Sequence, residues 1–210
     1  MTIKAVLFDM DGVLIDAKEW HFEAFNKALR HFGIEISVYD HLRTFDGLPT
    51  KEKLKILSCR HFLPKKLHPF INELKQKYTM EMVNTLCHPT YCHEYALSRL
   101  KSEGYKIAVC SNSIRQTIVT MMERASLDKY LDLIVSNQDV TRSKPDPEMY
   151  QVAIQKLGLD PKECLVIEDN PNGVAAGKAS GAFVLQVATV EDVNYLNIKE
   201  YIRICEKSVL

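Results

Sequence analysis

The 210-residue sequence has no net charge and no long apolar run. Lysine plus arginine and aspartate plus glutamate each total 27, and this balance disfavours a dedicated nucleic-acid-binding protein, which normally carries basic excess. No apolar run approaches the ~20 residues that span a bilayer. The short apolar run at the amino terminus is cut by Asp9, unlike a signal peptide. We therefore expect a cytoplasmic protein with no membrane or nucleic-acid partner.

The sequence also has few cysteines. Its six cysteines are scattered through a chain too long to depend on a disulfide framework. Residues 87–93, with the sequence CHPTYCH, do place four potential zinc ligands close together. No second ligand pair of matching spacing follows, so a connecting segment is the favoured interpretation and a zinc site the alternative.

What the sequence does contain is a series of short, continuous apolar runs rich in β-branched residues. Such runs are typical of strands covered on both faces of a parallel sheet. Helical patterns separate the later runs, and this alternation predicts an α/β fold with a doubly wound, mostly parallel, Rossmann-like sheet. The predicted strands are Ile3–Phe8, Lys106–Cys110, Leu131–Val135, Cys164–Ile167 and Ala182–Val187, and the intervening helices are Glu94–Ser102, Ser113–Ala125, Pro147–Leu157 and Pro171–Ser180.

Residues 16–85 interrupt this alternation because they contain helical patterns and no convincing strand. The helical stretches are Asp16–Phe32, Lys51–Arg60 and Pro64–Val83. Asp16 and Glu19 have the spacing of a capping box at the start of the first, and Ser113 is placed to cap the helix after the second strand. The sequence predicts an α/β core over residues 1–15 and 86–210, with a helical cap subdomain over 16–85.

Polar residues follow the predicted strands, where ligands of open α/β sheets bind. Four carboxylates crowded there would repel one another, and a hard divalent cation would relieve the repulsion. Sites with a few carboxylates, completed by water and phosphate oxygens, are typical of magnesium. The segments concerned are Asp9-Met10-Asp11-Gly12, Ser111-Asn112-Ser113, Ser143-Lys144-Pro145 and Glu168-Asp169-Asn170.

These residue types suit the hydrolysis of a phosphate monoester. Asp9 is a candidate nucleophile that would form an aspartyl-phosphate, and Asp11 a candidate general acid and base for the leaving oxygen and the attacking water. Lys144 would place a point charge on the phosphoryl oxygens. Ser111 and nearby helix amides would bind another phosphoryl oxygen. Gly12, which has no side chain, would let the backbone approach the phosphate closely.

In order along the chain, these segments resemble the four motifs of the haloacid dehalogenase-like phosphohydrolase superfamily. The insert after the first motif resembles the helical type 1 cap. The segment Glu19-Trp20-His21-Phe22 and the overall layout resemble the subgroup of β-phosphoglucomutases and sugar phosphatases.

The resemblance implies a nucleophile at Asp9 and a general acid/base at Asp11. It also implies Mg²⁺ held by Asp9, Asp169 and the backbone carbonyl of Asp11, with Glu168 as a further carboxylate on the metal side. The cap is implied to close over the crevice and to supply contacts that select the substrate. His21 falls where the mutases use a histidine to couple cap closure to the acid/base, and phosphatases of the subgroup often carry one too.

Two departures from the family pattern bear on the reaction. The loop Phe45–Lys51 lacks the arginine with which the mutases bind a distal phosphate. Lys51 is a candidate substrate contact that could take the place of this arginine, but it lacks the bidentate fork of a guanidinium. Asn112, within the second motif, is a further candidate substrate contact, and Arg115, after that motif, is a candidate phosphate contact. At the second hinge between cap and core, the family carries a proline-glycine pair, and this sequence has His93-Glu94 instead.

These features favour a magnesium-dependent phosphomonoester hydrolase, with a phosphosugar mutase as the alternative. The expected partner is a small phosphate ester, a sugar phosphate or related metabolite, bound by a monomer or weak dimer. Asp11 and Asp169 argue against dehalogenation. A phospho-acceptor signalling module would carry its acceptor on the third strand and lack the cap, and a catalytically silent binding protein would not need every motif residue.

Overall fold

The computed structural model describes residues 2–45 and 47–207, so Asp46 of the cap loop lies outside the described residues. The chain divides into two compact units: a core unit of Met1–Asp16 with His88–Leu210, and a cap unit of Ala17–Cys87. The domain bounds expected from the sequence, 1–15 with 86–210 for the core and 16–85 for the cap, stay a prediction. No helix in the described part of the chain is long and apolar enough to cross a membrane.

The core unit contains one parallel sheet of five strands in the order β3-β2-β1-β4-β5. β1 lies at its centre, with β2 on one side and β4 on the other. The predicted doubly wound fold is confirmed, and the strand ends differ from prediction by at most two residues, as fraying ends commonly do. The strands are β1 Ala5–Phe8, β2 Lys106–Cys110, β3 Leu133–Val135, β4 Cys164–Glu168 and β5 Phe183–Gln186.

The described residues of the cap unit form helices joined by loops and turns, with no strand. Its buried side chains, including Phe25, Leu29, Leu57 and Ile71, form one apolar cluster. The buried amide of Asn26 pairs with both backbone groups of Ile36, at 2.9 Å each. The helices are α1 Lys18–Arg30, α2 Val38–Asp40, α3 Thr50–His61 and α4 His68–Leu86, with a π-helical turn at His41–Phe45 and a 3₁₀ turn at Lys65–Leu67.

Five further helices belong to the core unit. Gly158 ends α7 in the left-handed conformation that glycine tolerates best. On α8, a β-carbon at Gly177 would lie 2.9 Å from Val184 Cγ2 and 3.0 Å from Val166 Cγ1, so glycine lets this helix approach the sheet closely. The helices are α5 Tyr91–Ser102, α6 Arg115–Arg124, α7 Glu148–Leu157, α8 Pro171–Ala179 and α9 Tyr195–Lys207.

Two predicted N-caps, Asp16 for the first helix and Ser113 for the helix after β2, are wrong. The N-cap of α1 is Ala17, with no side-chain cap, so the predicted Asp16 capping box is wrong. The N-cap of α6 is Ile114, and the hydroxyl of Ser113 instead donates to Asp11, at 3.4 Å. The carboxyl-terminal helix α9 was not predicted at all.

The segment at residues 87–93 leads into α5. His93 Nε2 lies 2.9 Å from the carbonyl oxygen of Val190, and the Cys92 thiol points to the carbonyl of Val193 at 3.9 Å. All six cysteines are free thiols. These contacts are those of a packed connecting segment, the interpretation favoured from the sequence.

A partly exposed ion pair between Arg115 and Asp139 organises the loop after β3. Asp139 accepts hydrogen bonds from the amide and hydroxyl of Ser136, at 2.8 and 2.6 Å, and from Arg115, at 2.9 and 2.7 Å. Burial opposes ionisation, but the hydrogen bonds from Ser136 and Arg115 outweigh it and lower the pKa of Asp139 to about 2. The charged form of this carboxylate therefore stabilises the fold.

We predict that Asp139→Asn lowers the free energy of unfolding near neutral pH by about 1–2 kcal/mol. Because the folded-state pKa is depressed, the stabilisation is fully present above the ordinary value of 3.8 and is lost as pH falls toward 2. Urea unfolding of both proteins between pH 2 and 7 checks this. The gap between them should close below pH 4, whereas Asp128→Asn, at an exposed position, should behave as wild type; a gap independent of pH would contradict the assignment.

Candidate active site

The register of the sheet brings three separate parts of the chain together at its carboxyl edge. Phe8 of β1 is paired with Val109 of β2 and with Ile167 of β4. The next residue on each strand is therefore at the same level, and Asp9 and Glu168 become neighbours. The amide of Asp9 extends the ladder by donating to the carbonyl of Ile167, at 3.0 Å.

The ammonium group of Lys144 lies at the centre of this edge. It donates to Asp9 Oδ1 at 2.7 Å, to Glu168 Oε1 at 2.6 Å and to the carbonyl oxygen of Cys110 at 2.8 Å. These three bonds use all three protons of the ammonium. The side chain is only 4% exposed, so this arrangement holds one cation between two carboxylates in a nearly dry environment.

Burial and charge shift the ionisation of this cluster. Burial, and next the repulsion from Glu168, raise the pKa of Asp9 well above its usual value, against the attraction of Lys144. Burial by itself would lower the pKa of Lys144, but the adjacent carboxylates of Asp9 and Glu168 outweigh it and raise that pKa. Lys144 is therefore a permanent cation here, and one cation is not enough to stabilise all the nearby negative charge.

The carboxylates present fit a magnesium ion. Asp9, Glu168 and Asp169 each contribute an oxygen to a group whose atoms lie within 4.8 Å of one another, and in the described residues this is the only such group of His, Cys, Asp or Glu side chains. Carboxylate oxygens are the hard ligands that Mg²⁺ prefers. The side chain of Asp11 is not part of the group, and the ligation implied for its backbone carbonyl stays a prediction.

A tight turn after β1 positions the second aspartate. The carbonyl of Met10 accepts from the amides of Leu14 and Ile15, at 2.9 Å each. Gly12 has a φ of 87°, a conformation that favours glycine. This turn presents Asp11, whose Oδ2 faces the hydroxyl of Ser113.

The second motif lies beside this turn. The buried hydroxyl oxygen of Ser111 accepts from the amide of Ser113, at 3.1 Å. The backbone carbonyl of Asn112 accepts from the side-chain amide of Asn137, at 2.9 Å. The guanidinium of Arg115 donates to Asp139 and to the carbonyl of Ile134, and its contact with phosphate stays a prediction.

The two cap residues of the predicted set lie in the cap unit. His21 is on α1, and its Nδ1 lies 3.1 Å from the ammonium of Lys75 on α4. Since a lysine ammonium can only donate, this contact leaves the proton of a neutral His21 ring on Nε2. Lys51 is exposed on α3. Their contact with substrate stays a prediction.

Three residues that bear on these groups were missed from the sequence. Tyr150 on α7 and Gly173 on α8 both contact Glu168, and Lys75 contacts His21. Tyr150 and Lys75 lie within helical patterns, in which a tyrosine is normally expected to be packed and a lysine to be solvated, so nothing in the sequence marked them. A signal was available only for Gly173, which lies one helical turn from Gly177 in a helix rich in glycine.

A parallel sheet with an aspartate, a lysine and further carboxylates at its carboxyl edge suits an α/β enzyme that uses a carboxylate as its nucleophile. The family model described as haloacid dehalogenase-like hydrolase matches residues 6–187 of this chain. The chain therefore belongs to the haloacid dehalogenase-like hydrolase family. The membership predicted from the four motifs, and with it the phosphatase class of enzyme, is confirmed.

Relatives and solved structures agree with this membership. A phosphorylated carbohydrates phosphatase from Thermotoga maritima is 31% identical over 182 residues, 85% of this chain and 82% of the relative. The pyrophosphatase PpaX from Bacillus pumilus is 28% identical over 89% of this chain and 84% of its own. A β-phosphoglucomutase structure from Clostridium difficile covers 100% of both chains with a TM-score of 0.85 and 23% identity, which shows a shared fold.

We predict that Mg²⁺ raises the melting temperature of the protein and that Asp169→Asn removes most of this rise. A ligand that binds only the folded state stabilises it by about 2.7 kcal/mol at a hundred times its Kd. Thermal unfolding with MgCl₂ and with EDTA measures the effect. The exposed Asp128→Asn variant should respond as wild type, and an equal rise in Asp169→Asn would place the ion elsewhere.

Proposed function

We propose that the protein is a magnesium-dependent phosphomonoester hydrolase that acts through an aspartyl-phosphate on a small sugar phosphate or related metabolite. The observation that carries the proposal is the Asp9 carboxylate. It stands at the carboxyl end of the central strand, bound through one oxygen to Lys144 and grouped with Glu168 and Asp169. The bond to Lys144 fixes the orientation of the Asp9 carboxylate. It engages Oδ1 and leaves Oδ2 as the oxygen not bound to the lysine.

In the first half of the reaction, an oxygen of Asp9 attacks phosphorus and forms an acyl-phosphate bond while the ester P–O bond breaks. Asp11 donates a proton to the departing oxygen, which leaves as an alcohol. In the second half, Asp11 takes a proton from water as the water oxygen attacks phosphorus. The bond to Asp9 then breaks, and the free carboxylate and inorganic phosphate result.

Charge decides whether a phosphate dianion can approach Asp9 at all. Mg²⁺ held by Asp9, Glu168 and Asp169 would supply positive charge that offsets the repulsion between the anionic substrate and the carboxylates. Lys144 contributes a fixed cation at the same edge, and charge placed in advance acts without reorganisation during the reaction. The hydroxyl of Ser111 and amides near the start of α6 are candidate donors to a phosphoryl oxygen.

Two observations support the proposed substrate class: the similarity to named relatives and the sequence of the cap. The Thermotoga relative is named for phosphorylated carbohydrates, whereas the Bacillus relative is named a pyrophosphatase. The loop Phe45–Lys51 has no arginine for a second phosphate, which favours hydrolysis over the mutase reaction. Lys51, His21, Asn112 and Arg115 remain candidate substrate contacts.

We predict that Asp9→Asn folds as wild type and loses essentially all phosphate release. Asp11→Asn should be slower by about 10²–10⁴-fold, the usual contribution of a general acid/base. Steady-state phosphate release, with circular dichroism as a check on folding, measures both. Asp128→Asn serves as the matched control for an exposed carboxylate, and wild-type turnover by Asp9→Asn would overturn the nucleophile assignment.

The substrate class is tested by phosphate release from a panel of about a hundred phosphate esters, with Mg²⁺ and with EDTA. The panel includes pyrophosphate, phosphoglycolate and β-glucose 1-phosphate with and without its bisphosphate. We expect release from a narrow group of sugar phosphates. Release from pyrophosphate alone would overturn the substrate class, and conversion of a 1-phosphate to a 6-phosphate without release would make the protein a mutase.

A further inference from the structure

The carboxylate of Glu168 is buried and hydrogen-bonded through both of its oxygens. The side chain is only 1% exposed. Its Oε1 accepts from the ammonium of Lys144 and from the hydroxyl of Tyr150, at 2.6 Å each. Its Oε2 faces the amide of Asp169 at 3.2 Å. The position of this group therefore fixes the lysine that contacts Asp9.

Gly173, in the first turns of α8, provides the space that this carboxylate occupies. A β-carbon at Gly173 would lie 1.9 Å from Glu168 Oε1, 2.0 Å from Cδ and 2.2 Å from Oε2. These separations are far below van der Waals contact, so even alanine would compete for the place of the carboxylate. The backbone of Gly173 is helical and does not itself require glycine. Space alone is the physical reason for glycine here.

Tyr150 supports the same carboxylate from α7. Its hydroxyl donates to Oε1, and its ring lies 4.8 Å from the ammonium of Lys144. The tyrosine therefore contacts both the carboxylate and the cation that the carboxylate binds. Its hydrogen bond goes to Glu168 and not to Asp9, so we expect its effect on the reaction to pass mainly through Glu168 and Lys144.

We propose that Tyr150 and Gly173 are positioning residues that form a seat for Glu168, and that this seat holds Lys144 against Asp9 for the reaction. The inference rests on the proposed hydrolase function for its consequence in catalysis. The packing on which it is built does not depend on that function. Partners of metal-site residues of this kind typically change metal affinity or activity by about 10–100-fold when they are replaced.

The first test compares two glycines of the same helix. Gly173→Ala should lower kcat by about 10²-fold, since misplacement of a reacting group by about 1 Å has that effect, and should weaken Mg²⁺ binding measured by calorimetry. Gly177→Ala is the matched control because its β-carbon would crowd Val184 and Val166 rather than the site. We expect Gly177→Ala to lose stability while kcat and Mg²⁺ affinity stay within about twofold of wild type.

The second test keeps the ring and removes one hydroxyl, so it does not depend on how well Gly173→Ala folds. Tyr150→Phe should lower kcat or Mg²⁺ affinity by about tenfold or more. Tyr201→Phe is its control, because the Tyr201 hydroxyl donates a comparable bond, 2.7 Å, to the carbonyl of Val184 on the edge strand. The control should change the melting temperature and leave kcat and Mg²⁺ affinity unchanged.

A third measurement compares stabilities and does not require enzymatic activity. If alanine at 173 collides with Glu168, then its destabilising effect should largely disappear in the Glu168→Ala background, while that of Gly177→Ala should persist. Thermal unfolding of the single and double variants gives this comparison. Additive effects of Gly173→Ala and Glu168→Ala would overturn the seat.

The experiments distinguish an error in the proposed positioning role of Tyr150 and Gly173 from an error in the proposed hydrolase function. If wild type releases phosphate and both Gly173→Ala and Tyr150→Phe match their controls in kcat and Mg²⁺ affinity, the seat is wrong and the hydrolase assignment stands. If wild type releases no phosphate from any ester, yet the unfolding effects are coupled and Mg²⁺ binding weakens, the seat stands and the hydrolase assignment fails.

Discussion

The contact between the Lys144 ammonium and the carboxylates of Asp9 and Glu168 is the interaction on which the rest of the site depends. A buried charge is costly unless its partners and geometry are complete. Here the ammonium has two carboxylates and the carbonyl of Cys110, which satisfy each of its protons. These partners come from the ends of β1, β4 and β2, so one side chain from the segment between β3 and α7 ties three strands together.

The same contact leaves the site with more negative than positive charge. Asp169 joins Asp9 and Glu168 in one oxygen-rich group, and the pKa of Asp9 is raised by burial and by the neighbouring carboxylate. A divalent cation would offset this repulsion in a way that Lys144 alone does not. The electrostatics therefore explain why a site built from repelling carboxylates suits magnesium and, with it, a phosphate ester.

The sheet turns this charge arrangement into a defined geometry. Parallel strands in register bring residues that follow Phe8, Val109 and Ile167 to the same level, although they are far apart in the chain. The helices then refine the positions of the side chains. Glycine at 173 and the hydroxyl of Tyr150 allow α8 and α7 to pack around Glu168, so part of the site's precision is supplied from outside the four motifs.

The strand pattern and the residues after each strand were readable without a structure, because buried parallel strands are continuous apolar runs and motif residues are local in sequence. They predicted the doubly wound sheet, and they selected Asp9, Lys144, Glu168 and Asp169, which the fold brings together. Helix starts were less readable: Asp16 was expected to cap α1, yet the cap is Ala17. Whether a side chain caps a helix depends on local backbone geometry that spacing alone does not specify.

Other features depended on tertiary structure because they join residues with no fixed spacing. The pairing of Arg115 with Asp139, the contact of Lys75 with His21 and the bond from Tyr150 to Glu168 each link separate elements. In sequence these residues look like ordinary charged or packed positions. Only tertiary packing, of helices on the sheet in the core unit and of helices against one another in the cap unit, decides which of them meet.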